Sequence, residues 1–302
     1  MTTVVALGGN ALTRPGERGT TDEQRANIRS ACIALAPVVA DGGAVVTHGN
    51  GPQVGQSLVR QERAADEVPP LPLYLAVAQT QAEIGALLAE ELSPLARRPV
   101  ACILTHVVVD AHDPAFARPT KPVGPVYGEA KARRLERERG WTVANDAGRG
   151  WQRVVPSPAP LEVVELDAIR ALLDAGTVAI ACGGGGIPVT REGGRLEGVD
   201  AVIDKDRAST VLATAIGARR LLVITDVPAL YRHFGSPEQE EVRTLTVAEA
   251  VRLAPELAAG SMGTKLEAAA AFVRDTGGEA LITSAERLAD ALAGRAGTRL
   301  AP

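Results

Sequence analysis

Short apolar runs alternate along the chain with longer segments in which apolar residues recur at helical spacing. The runs predict strands over 3–7, 44–47, 99–109, 177–181, 220–225, 280–283 and 298–301. The longer segments predict helices over 21–39, 54–65, 73–92, 166–174, 208–216, 247–253 and 285–293, with a further helix around residue 265. Because strands and helices alternate almost throughout, we expect an α/β fold whose mainly parallel sheet carries helices on both faces.

Two of these elements have distinctive patterns. The 99–109 segment is apolar and rich in β-branched residues throughout, which predicts one strand near the centre of the sheet. The 73–92 segment predicts a long helix that is apolar on one face, with Gln79, Gln81 and Glu83 on the other.

The segment from 110 to 160 differs in composition from the rest of the chain. It holds seven prolines, both tryptophans of the protein and a run of mixed charges over 131–139. The charge run is typical of a solvated helix face. We interpret this segment as an excursion from the main sheet, and Lys121, Arg149 and Arg153 as its candidates for reaching a ligand. Each of them would otherwise be an ordinary surface charge.

Three of the predicted strands end in glycines. Gly8-Gly9-Asn10 follows the first, Gly49-Asn50-Gly51 the second, and the run Gly183–Gly186 comes after 177–181. In parallel α/β sheets ligands bind beyond the carboxyl ends of strands, so we expect these loops to lie together and to approach a phosphate. An ordinary turn is the alternative for the first two loops, and a linker for the third. His48, beside the second loop, is either a general base or a hydrogen-bonding support.

Two lysines are predicted at helix starts. Asp204 is placed to cap a helix that carries Lys205 in its first turn. A cation in the first turn interacts unfavourably with the helix dipole, which destabilises the helix by about 0.3–1 kcal/mol. Thr264 and Glu267 form a capping-box pattern around Lys265. Either both lysine side chains extend into solvent, or both point at one polyanion. The negative charge of that polyanion would offset the unfavourable interaction between each lysine and its helix dipole.

Bulk composition narrows the possible functions. The chain has 302 residues, 46% hydrophobic and 23% charged, with a formal net charge of −4 and 3% aromatic residues. These values indicate a soluble globular protein and argue against a nucleic-acid surface. Cys32, Cys102 and Cys182 show no metal-type spacing, which predicts reduced core residues. No leader and no apolar run of about 18–20 residues appears, so we expect a cytoplasmic protein without a membrane partner.

The motifs that are absent narrow the chemistry. The sequence has no P-loop, no Rossmann glycine fingerprint, no nucleophile elbow and no zinc spacing. Glycine loops with two or three lysines suit phosphoryl transfer, whose catalysis is mostly positioning and charge stabilisation. Asp206 could hold the two ammonium groups in place, and Mg²⁺ would bridge the phosphates of ATP or ADP. The loop with Asp226 and Tyr231 either holds a nucleoside or is packed by its tyrosine.

Eight segments together resemble the carbamate kinases of the amino acid kinase superfamily over essentially the whole chain. They include Thr47-His-Gly-Asn-Gly-Pro-Gln-Val-Gly55 and Gly198-Val-Asp-Ala-Val-Ile-Asp-Lys-Asp206. The remaining segments are 6–12, 113–116, 119–127, 146–158, 183–189 and 260–265.

The resemblance implies one amino acid kinase domain over 1–302, built as a three-layer αβα sandwich around a mainly parallel, about eight-stranded sheet. It implies a protruding subdomain over 111–158 that closes over the substrate, and a homodimer. The implied reaction is reversible phosphoryl transfer between ATP and carbamate, which gives ADP and carbamoyl phosphate. The family usually runs it toward ATP in arginine, agmatine or purine breakdown.

Site residues also follow from the resemblance. Lys205, Asp206, Lys265 and Lys121 would be catalytic. The residues that would bind carbamate and the transferred phosphoryl group are Gly8, Gly9, Asn10, Gly49, Asn50, Gly51 and Lys121. The residues that would bind the nucleotide are Gly183, Gly184, Lys205, Asp226, Tyr231, Met262, Gly263 and Lys265.

The chain departs from the family pattern in a few places. It has Thr80-Gln-Ala-Glu-Ile-Gly-Ala86 where the family usually has Ser-Gln-Gly and then Ile-Gly-Tyr, and Thr264 where proline is usual. We expect the helix changes to fall at the dimer surface or at the wall of the substrate site. Two other functions stay open at this stage: a kinase for another carboxylate or phosphate acceptor, and a sensor of nucleotide or carbamoyl phosphate without turnover.

Overall fold

A computed structural model describes residues 1–9, 12–14, 16–146, 150–257 and 262–302. The strands are β1 (Thr3–Leu7), β2 (Ala44–His48), β3 (Val100–Cys102), β4 (His106–Val109), β5 (Lys121–Tyr127), β6 (Thr142–Asp146), β7 (Gly150–Val155), β8 (Pro160–Val163), β9 (Val178–Ile180), β10 (Ile187–Glu192), β11 (Arg195–Gly198), β12 (Arg220–Thr225), β13 (Leu230–Arg232), β14 (Glu240–Val242), β15 (Thr244–Leu245), β16 (Glu279–Ser284) and β17 (Thr298–Leu300). The α-helices are α1 (Thr21–Ala40), α2 (Gly51–Ala64), α3 (Leu73–Ala96), α4 (Pro114–Ala117), α5 (Glu129–Arg139), α6 (Leu166–Asp174), α7 (Lys205–Ala215), α8 (Val247–Leu253), α9 (Met262–Thr276) and α10 (Leu288–Leu292).

A mainly parallel sheet forms the centre of the molecule. Among the described residues it has eight strands, in the order β15-β17-β16-β12-β1-β2-β9-β3. The strands from β16 to β3 run parallel to one another, whereas β17 is antiparallel to β16. The carboxyl ends of β1, β2 and β9 therefore meet at one edge, as the glycine pattern predicted.

Alternate residues of the central strands bury their side chains on opposite faces of the sheet. Leu7 and Val46 pack on one face with Leu35 of α1 and Leu88 of α3. On the other face, residues such as Val4, Val45 and Val223 pack with side chains of α6, α7, α8 and α9. The predicted three-layer αβα sandwich is therefore confirmed.

The prediction of one central strand over 99–109 is wrong. The segment divides into β3, the outermost strand of the large sheet, and β4, which pairs with β8 and β10 in a second sheet. Thr105 marks the division, because its backbone N–H donates to the side chain of Gln81 at 2.6 Å. An apolar run does not reveal whether it stays in one sheet. Because β3 is an edge strand, Cys102 is exposed, whereas Cys32 and Cys182 are buried as predicted.

The excursion forms a separate three-stranded antiparallel sheet in the order β5-β7-β6, with α5 beside it. Ala132 and Leu135 of α5 pack with Tyr127 and Val143, and the remaining residues of the helix are mostly charged. That residues 111–158 move as a closing subdomain remains a prediction. Within the described part of the chain, no helix is long and apolar enough to cross a membrane.

The predicted capping box at Thr264 and Glu267 is wrong. Helix α9 begins at Met262, so Thr264 lies inside its first turn and Lys265 is its fourth residue. Glu267 instead accepts a hydrogen bond from Arg207 of α7 at 3.1 Å. The side chain of Glu267 therefore ties the two lysine-bearing helices together.

Candidate active site

The first two glycine loops lie in direct contact beyond β1 and β2. The Gly49 amide donates to the Leu7 carbonyl at 3.0 Å, and the Gly8 amide to the Ile224 carbonyl at 2.8 Å. A Cβ on Gly49 would lie 3.1 Å from the Gly9 nitrogen and 3.4 Å from Cδ of Lys205. A side chain at Gly49 would therefore crowd the backbone of the first loop, and the two backbones approach each other closely. Gly51 begins α2 with open space around it, and Asn10 lies outside the described residues.

A single carboxylate joins the two predicted lysines. Lys205 Nζ lies 2.5 Å from Oδ1 of Asp206, and Lys265 Nζ lies 3.2 Å from Oδ2. The side chains of the two lysines are 11% and 12% exposed and that of Asp206 is 4% exposed, so the cluster is nearly dry. Two ammonium groups share one carboxylate, which leaves one positive charge in excess at the glycine loops.

Local structure fixes Lys205 in this cluster. Asp204 caps α7 as predicted, since its side chain accepts from the amides of Asp206 and Arg207. Burial lowers the pKa of Lys205, the nearby Asp206 opposes that shift, and Lys265 adds to it. An anion bound here would relieve both the burial cost and the repulsion between the lysines. The arrangement is therefore suited to binding phosphate.

The glycine run Gly183–Gly186 is buried against protein atoms. A Cβ on Gly183 would lie 2.3 Å from Nε2 of His48, and one on Gly184 would lie 2.1 Å from Nδ2 of Asn50. These glycines are required because the loop packs directly on the side chains of the second glycine loop. That this loop approaches a phosphate, and that Gly183 or Gly184 contacts a nucleotide, stays a prediction.

Two neighbouring side chains of α3 support these loops, and sequence reasoning missed both. The Thr80 hydroxyl accepts from Asn50 Nδ2 at 3.0 Å. Gln81 donates to the Gly183 carbonyl at 2.8 Å and accepts from the Thr105 amide at 2.6 Å. Both side chains are about 1% exposed. One helix therefore holds the second and third glycine loops at once.

The placement of Gln81 on the polar face of α3 is wrong. Residues two apart on an α-helix are separated by about 200°, so Gln81 faces away from Gln79 and Glu83. The latter two are exposed, whereas Gln81 is buried. A glutamine among apolar positions of a helix was the available signal, since buried polar groups need fixed partners.

His48 is a support residue in this geometry. Its ring is fully buried, and Nδ1 lies 3.1 Å from the Gly49 carbonyl. Burial, and to a lesser degree Lys205, lowers its pKa to about 4 against the opposing effect of that hydrogen bond. The imidazole is neutral at pH 7, with Nδ1–H donating to Gly49. Of the two interpretations of His48, the structure favours hydrogen-bonding support.

Of the excursion's candidates, Lys121 reaches the lysine-bearing segment. Its Nζ lies 2.8 Å from Oδ2 of Asp204, the residue immediately before Lys205. Arg153 instead stacks on Trp141, with 4.8 Å between guanidinium and ring centroid, and lines a cavity of about 230 Å³ beside α2. Arg149 lies outside the described residues.

A sequence model of the amino acid kinase family matches residues 1–284. The chain is 42% identical to a carbamate kinase of Pyrococcus horikoshii, over 99% of this chain and 98% of the relative. It is 45% identical to a carbamate kinase of Halobacterium salinarum, over 99% and 98% of the two chains.

The chain belongs to the carbamate kinase family. A solved structure of the Giardia lamblia carbamate kinase bound to AMP-PNP superposes with a TM-score of 0.92 at 38% identity, covering 99% of this chain and 98% of that one. The resemblance inferred from eight sequence segments is thereby confirmed.

The other residues that we expect to bind the nucleotide of this carbamate kinase fold lie after β12 or at the start of α9. Asp226 and Tyr231 follow β12, the neighbour of β1. The Tyr231 ring lies 6.0 Å from that of Phe234. Met262 and Gly263 open α9, three and two residues before Lys265. Their contact with a nucleotide stays a prediction.

We expect a metal ion in this carbamate kinase site to be bound through the phosphates of the substrate. Among the described residues, no group of three or more His, Cys, Asp or Glu side chains could hold a metal. Both oxygens of Asp206 already accept from ammonium groups. That Mg²⁺ enters the site on the nucleotide phosphates stays a prediction.

Proposed function

We propose that the protein is a phosphotransferase that acts on a carboxyl-type acceptor, the carbamate kinase reaction. It transfers a phosphoryl group reversibly between ATP and carbamate and forms ADP and carbamoyl phosphate. The contact that carries the proposal is the shared carboxylate, in which Asp206 holds Lys205 and Lys265 together, with Lys205 beside Gly49. Full-length similarity to carbamate kinases supports the choice of acceptor.

The two lysines would supply charge stabilisation. As the phosphoryl group moves, negative charge spreads over its oxygens and over the leaving diphosphate, and preorganised cations stabilise that charge. Asp206 keeps both ammonium groups oriented before the substrate arrives, so little reorganisation is needed. Mg²⁺, held by the nucleotide, would neutralise further phosphate charge.

The glycine loops would position the acceptor. Backbone amides of Gly9 and Gly51 would cradle the transferred group, and Gly8 and Gly49, whose amides donate to Ile224 and Leu7, would let the backbone approach it closely. Asn50, whose amide is fixed by Thr80, would complete this wall. Carbamate is small and planar, so a rigid backbone-lined site suits it. Lys121 would approach from the excursion.

The oligomeric state of the protein and the direction of the reaction belong to the same proposal. We propose a homodimer, supported by the exposed apolar residue Leu104 and by Cys102 at the β3 edge of the large sheet. An edge strand with exposed apolar side chains is commonly covered by a partner. Light scattering coupled to gel filtration tests this proposal. The expected direction, toward ATP, rests on the family resemblance alone.

The decisive experiment measures ATP formed by the purified protein from ADP, Mg²⁺ and carbamoyl phosphate. Acetyl phosphate serves as the control donor because it has the same mixed-anhydride chemistry with a methyl group in place of the amine. ATP from carbamoyl phosphate and little from acetyl phosphate supports the proposal.

Two outcomes would contradict it. ATP formation from neither donor, with ADP binding intact, would indicate another acceptor, to be sought among small carboxylates and phosphates. Binding of nucleotide and carbamoyl phosphate without turnover would indicate a sensor.

A further inference from the structure

The carboxylate of Asp204 divides its two oxygens between different parts of the molecule. Oδ1 accepts from the amides of Asp206 at 3.0 Å and of Arg207 at 3.3 Å, which begins α7. Oδ2 accepts from Lys121 Nζ at 2.8 Å. The carboxylate is 14% exposed and the lysine 31% exposed, so the pair is largely shielded.

Lys121 belongs to the excursion, which contacts the rest of the protein at several points along β5. In the middle of the strand, a Cβ on Gly55 of α2 would lie 3.2 Å from Cα of Gly124. At its end, the Tyr127 hydroxyl donates to Glu62 of α2 at 3.0 Å. These two contacts hold only the middle and the end of β5 against α2. The Lys121 contact at the start of β5 instead joins it to the residue that precedes Lys205.

We propose that Asp204 is a positioning residue that sets Lys121 of the excursion at a fixed distance from Lys205. Its single carboxylate does so because it both caps α7 and forms the ion pair with Lys121. The inference deepens the proposed function, on which it rests, because it makes Asp204 control how Lys121 meets carbamoyl phosphate. Without this anchor Lys121 would sample its many rotamers, and part of its binding energy would be lost to ordering it.

Nearby charges keep Asp204 ionised. Burial acts to raise the pKa of Asp204, but Lys121, then Lys205 and the amide of Arg207, lower it to about 2. The negative charge is therefore present at any working pH.

The substitution Asp204→Asn separates the two roles. Asparagine caps helices about as well as aspartate, so α7 and Lys205 should keep their places. The amide carries no charge, so Lys121 loses its ionic partner. We expect KM for carbamoyl phosphate to rise about tenfold while kcat and KM for ADP change less than about threefold, the pattern of lost substrate binding.

A double-mutant cycle links this effect to Lys121. The substitution Asp204→Asn should have little further effect on KM for carbamoyl phosphate in a Lys121→Met background, because the anchored group is gone. Additive effects of the two substitutions, or an unchanged KM in Asp204→Asn, would overturn the proposal. Glu162→Gln is the matched control: it removes the Arg191–Glu162 pair, with 2.6 Å between Nη1 and Oε2, on the second sheet. It should leave KM unchanged.

Fluorescence tests the anchor without the reaction. Trp141 and Trp151, the protein's two tryptophans, both lie in the excursion, so tryptophan emission, excited selectively over tyrosine, reports on that region. Asp204→Asn and Lys121→Met should increase acrylamide quenching to the same extent in the ligand-free protein, and Glu162→Gln should not.

Unchanged quenching in both variants would overturn the anchor even if the wild type makes ATP. Increased quenching together with no wild-type turnover would sustain the anchor and reject the proposed function. If Asp204→Asn fails to fold, Lys121→Met, which leaves the cap intact, provides the same comparison.

Discussion

Asp204 and Asp206 lie on either side of Lys205, yet the structure uses them differently. Asp206 is 4% exposed and gives both oxygens to lysines of the two helices α7 and α9. Asp204 is 14% exposed and gives one oxygen to backbone amides and the other to Lys121 of the excursion. One carboxylate builds a rigid cationic centre within the main domain, and the other connects that centre to a separate sheet.

The difference shows how burial divides tasks between chemically identical groups. Two ammonium groups in a nearly dry cluster require a compensating charge, so loss of Asp206 would leave uncompensated buried charge. A more exposed ion pair contributes less to stability, and its value lies in orienting a mobile side chain. Removing a residue of the Asp206 centre should therefore affect turnover, whereas weakening the Asp204 link should affect substrate binding.

The largest effect is expected for Lys205→Ala. It removes charge stabilisation at the transferring phosphoryl group, and turnover should fall by about 10²–10³ or more, with the fold retained. Steady-state kinetics and circular dichroism check this result. Arg252→Ala, which removes an exposed cation on α8, is the control and should keep nearly normal turnover. Wild-type-like turnover of Lys205→Ala would remove Lys205 from the centre.

A smaller effect is expected at the support of the glycine loops. Thr80→Val keeps the shape of the side chain but leaves Asn50 Nδ2 without its acceptor. Without this bond the Asn50 amide is no longer held in place, so we expect kcat to fall by roughly tenfold, equivalent to about 1.4 kcal/mol of transition-state stabilisation. Thr80→Ser restores the hydroxyl and should restore kcat. A loss in Thr80→Ser with normal kcat in Thr80→Val would show that packing of the threonine methyl, and not the hydrogen bond, matters.

Lys121→Ala sharpens the contrast between the two carboxylates. It leaves the Asp206 centre intact, so KM for carbamoyl phosphate should rise by roughly tenfold with a smaller change in kcat. Initial rates across a range of carbamoyl phosphate concentrations measure both constants. An unchanged response to that concentration would place Lys121 outside the site, whereas a loss confined to kcat would assign it to the centre.

The smallest effect on activity is expected for substitution of His48. This residue instead affects how the stability of the folded protein depends on pH. Its pKa in the native protein, about 4, lies below the ordinary value of 6.5. Between these values the unfolded chain binds a proton that the native protein does not, so stability falls as pH decreases from about 6.5 to 4. The loss should total about 3 kcal/mol.

Urea unfolding at several pH values measures this loss. His48→Asn, whose amide can still donate to Gly49, should lose the extra dependence. His112→Asn, which changes an exposed histidine, should keep it. The same pH profile in all three proteins would refute the assignment of a buried neutral imidazole.

The sequence by itself determined the alternation of strands and helices, the glycine loops at three strand ends and the cap at Asp204. These features follow from local rules: hydrophobic periodicity, backbone freedom of glycine, and hydrogen bonding of amides within a few residues of the cap. Family motifs extended the prediction to Lys205, Asp206 and Lys265, whose joint contact the structure then provided.

Only the tertiary structure decided which residues support that site. The division of 99–109 between two sheets, the burial of Gln81 and the packing of Gly183 on His48 depend on neighbours far apart in the chain. The same is true of Lys121, which lies 83 positions from Asp204 yet bonds to it. Sequence pattern records the environment of one segment at a time. A contact between segments is set by how the sheets and helices pack, and so it becomes visible only in the folded molecule.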